Sequence, residues 1–124
     1  MEKVTGIGGI FFKANDADSL RRWYAEKLGI DVDPGWGGAM FGDTVWSIFK
    51  GTTTYLDPSK QPFMVNYRVA NLDAMLAQLR AAGADVDDKV DETEFGRFGW
   101  VMDPEGNRIE LWEPAKEAVT ALPK

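Results

Sequence analysis

The chain has 124 residues, of which 44% are hydrophobic, and this is enough for one packed domain or for two small repeats that share a core. Its net charge of −6 argues against nucleic-acid binding, because there is no basic excess to neutralise phosphates. No apolar run is long enough to span a bilayer and no signal-peptide pattern opens the chain, so we expect a cytoplasmic protein without a membrane partner.

The sequence contains no histidine and no cysteine. The commonest metal ligand, the commonest general acid–base and any thiolate are therefore missing. A metal would have to bind carboxylate, carbonyl and water oxygens, which suit magnesium, calcium or manganese. The chain also has five tryptophans, and this residue suits both a core and the wall of a ligand pocket.

The first half of the chain begins with a predicted strand over 4–13 that contains three glycines, which weaken it or mark a close approach of another group. A helix over 19–28 follows, with capping residues just before it and Gly29 at its end. Three further strands are predicted over 30–32, 36–41 and 45–50, the last two joined by a Gly42-Asp43 turn.

Residues 51–62 are polar and rich in turn formers. They form either a linker or an ordered loop over a cleft, since Tyr55 and Leu56 interrupt their polarity. The pattern then restarts with a strand over 63–69 and a helix over 72–82 that Asn71 caps and Gly83 ends. The remaining predictions are a strand with an exposed acidic connection over 85–94 and strands over 95–102 and 108–113.

The last two strands form a hairpin around the turn residues 103–107, which are Asp, Pro, Glu, Gly and Asn. In its second strand, Glu110 lies between two apolar neighbours and shares a face with Trp112. A carboxylate in mid-strand needs a partner, water or a function. The alternative is that Glu110 lies on a solvated strand face.

The order strand, helix and three strands occurs twice, over about 4–50 and about 63–114. This predicts a single α+β domain built of two βαβββ repeats. Each helix can cover only one face of its sheet. The uncovered faces should therefore meet a ligand, a partner or each other, and whether the repeats close within one chain or swap with a partner stays open.

Three features together resemble the vicinal oxygen chelate superfamily, which includes glyoxalase I, the bleomycin resistance proteins and the extradiol dioxygenases. They are the doubled βαβββ unit, Trp23-Tyr24 followed by Leu28-Gly29, and the segment 103–111 (DPEGNRIEL). The resemblance covers about 4–114. It implies paired curved mixed sheets around a cleft, helices on the outside and a homodimer, but that fold hosts several chemistries.

Metal-dependent members of the superfamily take their ligands from four positions, which the resemblance places at Gly9, Ser47, Met64 and Glu110. Only Glu110 is an ordinary ligand in the family pattern, because glycine has no side chain, serine is weak and methionine is too soft for a hard cation. We therefore expect the fold without a metal or any other cofactor.

Strand alternation then suggests which side chains face the cleft. Apolar walls with a few convergent polar groups are typical of a small-molecule site. The predicted ligand-binding residues are Ser47, Phe49, Met64, Asn66, Arg68 and Trp112. Alternatively, Arg68 and Glu110 pair with each other across the cleft.

The first function hypothesis is a protein that binds an aromatic or cationic small molecule without a metal, as the bleomycin resistance proteins do. The second is a metal-independent isomerase or lyase in which Glu110 is the base and Arg68 or Asn66 holds the oxyanion. A metal-dependent glyoxalase- or dioxygenase-type enzyme is a further alternative. The last is an interaction module whose vestigial cleft is packed shut by Trp36, Trp46 and Trp112.

Overall fold

The computed structural model describes residues 1–115. Its two helices are α1 (Ala17–Leu28) and α2 (Leu72–Ala81). Its strands are β1 (Val4–Ala14), β2 (Gly38–Phe41), β3 (Thr44–Lys50), β4 (Phe63–Val69), β5 (Asp85–Val86), β6 (Asp91–Thr93), β7 (Gly96–Met102) and β8 (Arg108–Pro114). The sequence also predicts a short helical tail over 115–124, and this segment lies outside the described residues except for Ala115.

The strands form one mixed sheet in the order β2-β3-β1-β4-β8-β7-β5, with β6 paired to β7. β1 runs parallel to β3, and β4 runs parallel to β8, so both halves repeat one arrangement. The halves join edge to edge within the chain, because β1 pairs with β4 in antiparallel fashion. The expected α+β class with a mixed sheet and two helices is confirmed.

The helix ends follow the capping residues of the sequence. The side chains of Asp16 and Asn71 accept backbone hydrogen bonds from the third residue beyond them, which satisfies a free N–H at the start of each helix. Gly29 and Gly83 follow the two helices with φ values of 68° and 81°. A side chain is disfavoured at such positive φ, so glycine allows the chain to leave each helix.

The predicted strand over 30–32 is wrong. The backbone N–H of Ile30 donates to Tyr24, and that of Val32 donates to Ile30, so this segment satisfies its donors locally instead of joining a sheet. The acidic segment 85–94 contains more strand than predicted. In place of one strand and an exposed connection, it has two short strands, β5 and β6, that both pair with β7.

The core divides into two clusters on opposite faces of the sheet. Under α2, buried aliphatic side chains pack together, with Leu72 fully buried. On the other face, Leu56 and Met64 pack with Phe11 and Trp100. Among residues 1–115, no helix is long and apolar enough to cross a membrane.

Candidate functional site

The centre of the sheet carries the polar groups of the site in one row. The register aligns Val45, Gly9, Asn66, Glu110 and Trp100 on five neighbouring strands. Because parallel β4 and β8 pair Asn66 with Glu110, the two side chains lie side by side. The strand pairing, not the chain order, brings these groups together.

A β-bulge in β1 makes room beside this row. The register shifts between Ile7 and Gly9, and Gly8 lies against the side chain of Asn66. A Cβ atom on Gly8 would lie 2.2 Å from Asn66 Oδ1 and 2.9 Å from the Trp112 ring. Glycine at this position therefore lets the Asn66 and Trp112 side chains pack against the backbone of β1, where any other residue would clash with them.

A cavity of about 270 Å³ lies on this face of the sheet. Val45 and Gly8 contribute to its lining, Asn66 and Glu110 supply its polar groups, and most of its wall is aromatic. The aromatic lining residues are Phe11, Phe49, Tyr55, Phe95, Phe98 and Trp112. The cleft is thus open, which argues against the vestigial-cleft alternative.

Glu110 is buried and receives three hydrogen bonds. Tyr55 Oη and Trp100 Nε1 both donate to Oε2, the latter at 3.0 Å. Asn66 Nδ2 donates to Oε1 at 2.6 Å. These donors suit an ionised carboxylate, which only accepts, and they leave Oε1 with capacity for one more hydrogen bond.

Burial and hydrogen bonding act on the Glu110 carboxyl group in opposite directions. Removal from water raises its pKa, while the donors from Tyr55, Asn66 and Trp100 and the charge of Arg108 oppose the rise. Burial and the adjacent Glu110 also raise the pKa of the Tyr55 hydroxyl. Tyr55 therefore keeps its proton and remains a donor.

Asn66 has one unused hydrogen-bonding atom. Its side chain is buried, and its Nδ2 is committed to Glu110, since an ionised carboxylate can face only the amide N–H. Its Oδ1 therefore points elsewhere, and no donor among residues 1–115 reaches it. A buried acceptor without a donor costs free energy, and the surrounding atoms leave Oδ1 with less than 1 Å² of exposed surface.

Trp112 forms a rigid part of the wall. Its ring stacks on Phe98 with centroids 5.6 Å apart and planes 8° apart. Its Nε1 donates to the Phe95 carbonyl at 2.9 Å. The Arg68 guanidinium lies 4.7 Å from the centre of the Trp112 ring, which is cation–π distance.

The predicted site residues divide into two groups. Phe49, Asn66, Glu110 and Trp112 line the same cavity. Ser47 and Met64 do not line it: Ser47 is buried beside a different surface depression, and Met64 is fully buried in the core. Their ligand-binding roles have no support in this geometry, because both side chains lie away from the cavity surface.

Arg68 also lies outside the cavity lining. Its Nη2 donates to the Asp43 carbonyl at 2.5 Å, and its guanidinium stacks on Trp112. The predicted Arg68–Glu110 ion pair is absent from the salt bridges among the described residues, because the hydrogen bonds to Glu110 come from Tyr55, Asn66 and Trp100.

Tyr55 and Phe98 line the cavity and Trp100 donates to Glu110, but none of the three was predicted as a site residue from the sequence. Tyr55 reaches the site because its neighbour Leu56, fully buried in the core, anchors the loop between β3 and β4. Two apolar residues in a polar loop were the available signal. Phe98 and Trp100 pair directly with Trp112 and Glu110 in the hairpin, so strand alternation on β7 would have found both.

The side chains of the central row do not fit a divalent cation. Oxygen ligands here come only from Glu110 and Asn66, and both Glu110 oxygens face hydrogen-bond donors. A cation would face the hydrogens of those donors. Among the described residues, no group of three or more acidic side chains could hold a metal ion.

Residues 9–112 match the family model of the glyoxalase-like domain, and the chain belongs to this family. The methylmalonyl-CoA epimerase of Mycobacterium tuberculosis is structurally similar, with a TM-score of 0.65, 22% identity and coverage of 95% of this chain and 93% of that one. These findings confirm the resemblance to the vicinal oxygen chelate superfamily.

Two further solved structures share the fold. A variant of the Streptomyces coelicolor methylmalonyl-CoA epimerase, in complex with 2-nitronate-propionyl-CoA, has a TM-score of 0.65 and 19% identity and covers 91% of this chain and 99% of that one. A hypothetical protein from Bacillus halodurans has a TM-score of 0.66 and 11% identity, with coverage of 93% and 96%. No curated protein matches the sequence.

Proposed function

We propose that this glyoxalase-like domain binds a small, flat, mostly apolar molecule in its aromatic cavity without the help of a metal. The observation that carries the proposal is an open aromatic cavity whose lining includes the polar residues Asn66 and Glu110. A few placed polar groups inside an apolar pocket give a ligand its orientation and specificity.

The size of the cavity limits the ligand. A volume of about 270 Å³ is just below the range of about 300–1,000 Å³ that is usual for drug-sized ligands. One or two fused aromatic rings fit this space. Stacking on Trp112 and the phenylalanines would supply most of the affinity, because each Å² of buried apolar surface contributes about 25 cal/mol.

A thermal-shift panel tests the proposal. One arm contains divalent metals with and without a chelator, and the other contains one- and two-ring aromatic compounds. A ligand at about a hundred times its Kd stabilises a protein by about 2.7 kcal/mol, a shift of several degrees for a domain of this size. We expect aromatic compounds to raise Tm and metals to leave it unchanged.

A pair of matched variants assigns any shift to the cavity. Val45→Phe fills part of the cavity and should abolish the shift, whereas Val4→Phe adds the same volume at a half-exposed position of β1 outside the lining and should retain it. A shift caused by a metal and reversed by the chelator would contradict the metal-free proposal.

Catalysis by Glu110 is the second candidate function. Its support is the remaining acceptor capacity of Oε1 at the cavity wall, together with a pKa that burial raises. However, the predicted oxyanion donors are poorly placed: one N–H of the Asn66 amide donates to Glu110, and Arg68 does not line the cavity and donates to Asp43. A base without an oxyanion donor is a weaker catalyst.

Hydrogen exchange tests this second candidate. Two of the similar structures are methylmalonyl-CoA epimerases. Methylmalonyl-CoA in D₂O is therefore a defined probe, because its acidic C–H proton can exchange with deuterium. Loss of its acidic proton signal with the wild type, but not with Glu110→Gln, would support catalysis. No exchange, or equal exchange with the variant, would rule out Glu110 as the base for this probe.

The proposal also includes a homodimer. Ile7, Ile10 and Phe63 lie on β1 and β4 and are 41–43% exposed, and Ile10 and Phe63 alternate with Phe11 and Met64, which face the other side. Exposed apolar groups of this kind favour covering by a second copy. Light scattering at micromolar concentration should give twice the chain mass, and a monomer mass would contradict the dimer.

A further inference from the structure

The segment between β3 and β4 lies across the face of the sheet that carries the cavity. Tyr55 lines the cavity on one side of this segment, and Pro58 lines a second depression of about 130 Å³ on the other side. Leu56, between them in the chain, is fully buried and belongs to the same cluster as Trp100. Residues 54–61, which we call the plug, therefore separate two depressions of one face.

The two depressions lie along one pair of strands. Side chains that face this side alternate along β7 and β8, and the register pairs them as Phe98 with Trp112, Trp100 with Glu110 and Met102 with Arg108. The first pair lines the cavity, and the last pair lines the second depression. The plug covers the middle pair, so Glu110 keeps only 2% of its surface exposed.

The plug satisfies its own backbone and has little hydrogen bonding to the sheet. It forms two turns, closed by backbone hydrogen bonds of 3.0 Å from Asp57 to Thr54 and from Ser59 to Leu56. Within residues 1–115, the hydrogen bond that joins the plug to the sheet is the one from Tyr55 Oη to Glu110. Displacement of the plug therefore breaks no backbone hydrogen bond to the sheet, unlike displacement of a strand.

We infer that the plug opens as a unit and thereby controls access to Glu110. When it leaves the sheet, Leu56 uncovers Trp100 and the Tyr55 hydroxyl group leaves the Glu110 carboxyl group. The cavity and the second depression then join into one groove along β7 and β8. This inference rests on the proposed function, because it describes how a ligand reaches the same site.

Hydrogen exchange at the Trp100 indole measures the opening without any ligand. Its Nε1–H donates to Glu110 beneath the plug at 3.0 Å, and Trp100 is 1% exposed, so exchange requires that this cover opens. The backbone amides of β4 are the reference, because β4 pairs with β1 on one side and with β8 on the other. We expect the opening equilibrium constant at Trp100, measured by NMR, to be at least about a hundredfold larger than that of β4 and only weakly dependent on urea.

Leu72→Ala and Leu56→Ala truncate two fully buried leucines on opposite faces of the sheet. Leu72 lies in α2, away from the plug, so its truncation destabilises the closed and the open form alike. It should accelerate exchange of the β4 amides at least about tenfold and leave exchange of the Trp100 indole unchanged. Leu56→Ala removes the anchor of the plug and should accelerate both signals by the same factor.

Two results would overturn the inference. Equal opening constants and equal urea dependence at Trp100 and β4, or equal acceleration of both by Leu72→Ala, would mean that the site opens only when the whole domain unfolds. Exchange of the β7 and β8 backbone amides as fast as that of the Trp100 indole would mean that the hairpin moves and not the plug. The wild-type urea series decides the question even where a variant fails to fold. Failure of the proposed function is distinguishable, because the thermal-shift panel tests ligand binding and the exchange measurement uses no ligand.

Discussion

The strands of the first half and the second half face the same cavity with different chemistry. β1 and β3 contribute Gly8, Phe11, Val45 and Phe49, whereas β4 and β8 contribute Asn66, Glu110 and Trp112. The strands of the first half thus supply only apolar lining, whereas the second half supplies the two polar groups together with the aromatic residues Phe95, Phe98 and Trp112. Two copies of one topology therefore differ in chemistry while the backbone keeps the same pairing.

The two helices show a similar contrast. α2 buries Leu72, Met75 and Leu76 against the sheet, whereas the buried residue of α1 is Ala17. Large side chains of α1 remain exposed, including Leu28 at 60% and Trp23 at 49%. Apolar burial is the main stabilising contribution, so the second half should carry more of the stability as well as the polar site.

Truncation of a leucine in each helix should give the largest difference in stability between the two halves. Leu72→Ala should lower the free energy of unfolding by about 3–4 kcal/mol, because it leaves a cavity in a fully buried position. Leu28→Ala, its matched control, should cost less than about 1 kcal/mol. Urea unfolding measures both values, and equal losses would contradict the proposed difference between the halves.

Alanine at two glycines of β1 tests the close packing beside Asn66. Gly8→Ala should cost about 1–3 kcal/mol by overpacking, because its Cβ would lie 2.2 Å from Asn66 Oδ1, and it should also weaken ligand binding. Gly6→Ala meets only Arg68 Cδ at 3.9 Å and should be neutral. If thermal unfolding and ligand titration found the two variants alike, the bulge would have no role in the site.

Removal of one hydroxyl group tests the link between the loop and Glu110. Tyr55→Phe deletes a donor to the buried Glu110 carboxylate and should cost about 1–2 kcal/mol. Tyr24→Phe is the matched control, because the described structure gives its hydroxyl no hydrogen bond and its ring packs against Trp46 at 5.1 Å. Chemical denaturation compares the two, and an unchanged stability of Tyr55→Phe would separate the loop from Glu110.

The pH dependence of stability tests the burial of Glu110 itself. Because folding raises its pKa above the ordinary value of 4.5, its stabilising contribution is complete below that pH and is lost as pH rises through the folded pKa. The stability of wild type relative to Glu110→Gln should fall in this window, by at most about 1.4 kcal/mol per pH unit. Urea titrations from pH 4 to pH 8 provide the difference, and a constant or rising difference would contradict a raised pKa.

Most of the fold could be predicted from the sequence, because the patterns that indicate its helices, strands and turns are local. The strand–helix–strand order of each half, the caps at Asn71 and Asp16 and the hairpin around 103–107 depend on neighbouring residues. The short strand wrongly predicted over 30–32 shows the limit, since β-forming residues there satisfied their backbone groups within the turn. Three residues carry too little pattern to decide between these outcomes.

Only part of the site could be predicted from the sequence, because the rest depends on the register in which the strands pair. Glu110 stood out as a carboxylate in mid-strand, but its pairing with Asn66, and not with Met64, follows from the alignment of β4 with β8. The bulge at Gly8 shifts the facing of β1, and a one-residue shift reverses every side chain. Tyr55 comes from a loop, whose path the strand patterns do not predict.

The most direct test of cavity binding uses the indole N–H signals of the five tryptophans in a proton–nitrogen NMR spectrum, assigned by substitution. Trp100 donates to Glu110, and Trp112 lines the cavity. The other three, Trp23, Trp36 and Trp46, belong to the first half and do not line the cavity. Titration with benzamidine and with a neutral aromatic compound should shift the Trp100 and Trp112 signals and leave the other three in place. Shifts confined to Trp23, Trp36 or Trp46, or no shifts at saturating concentrations, would contradict a ligand site at the centre of the sheet.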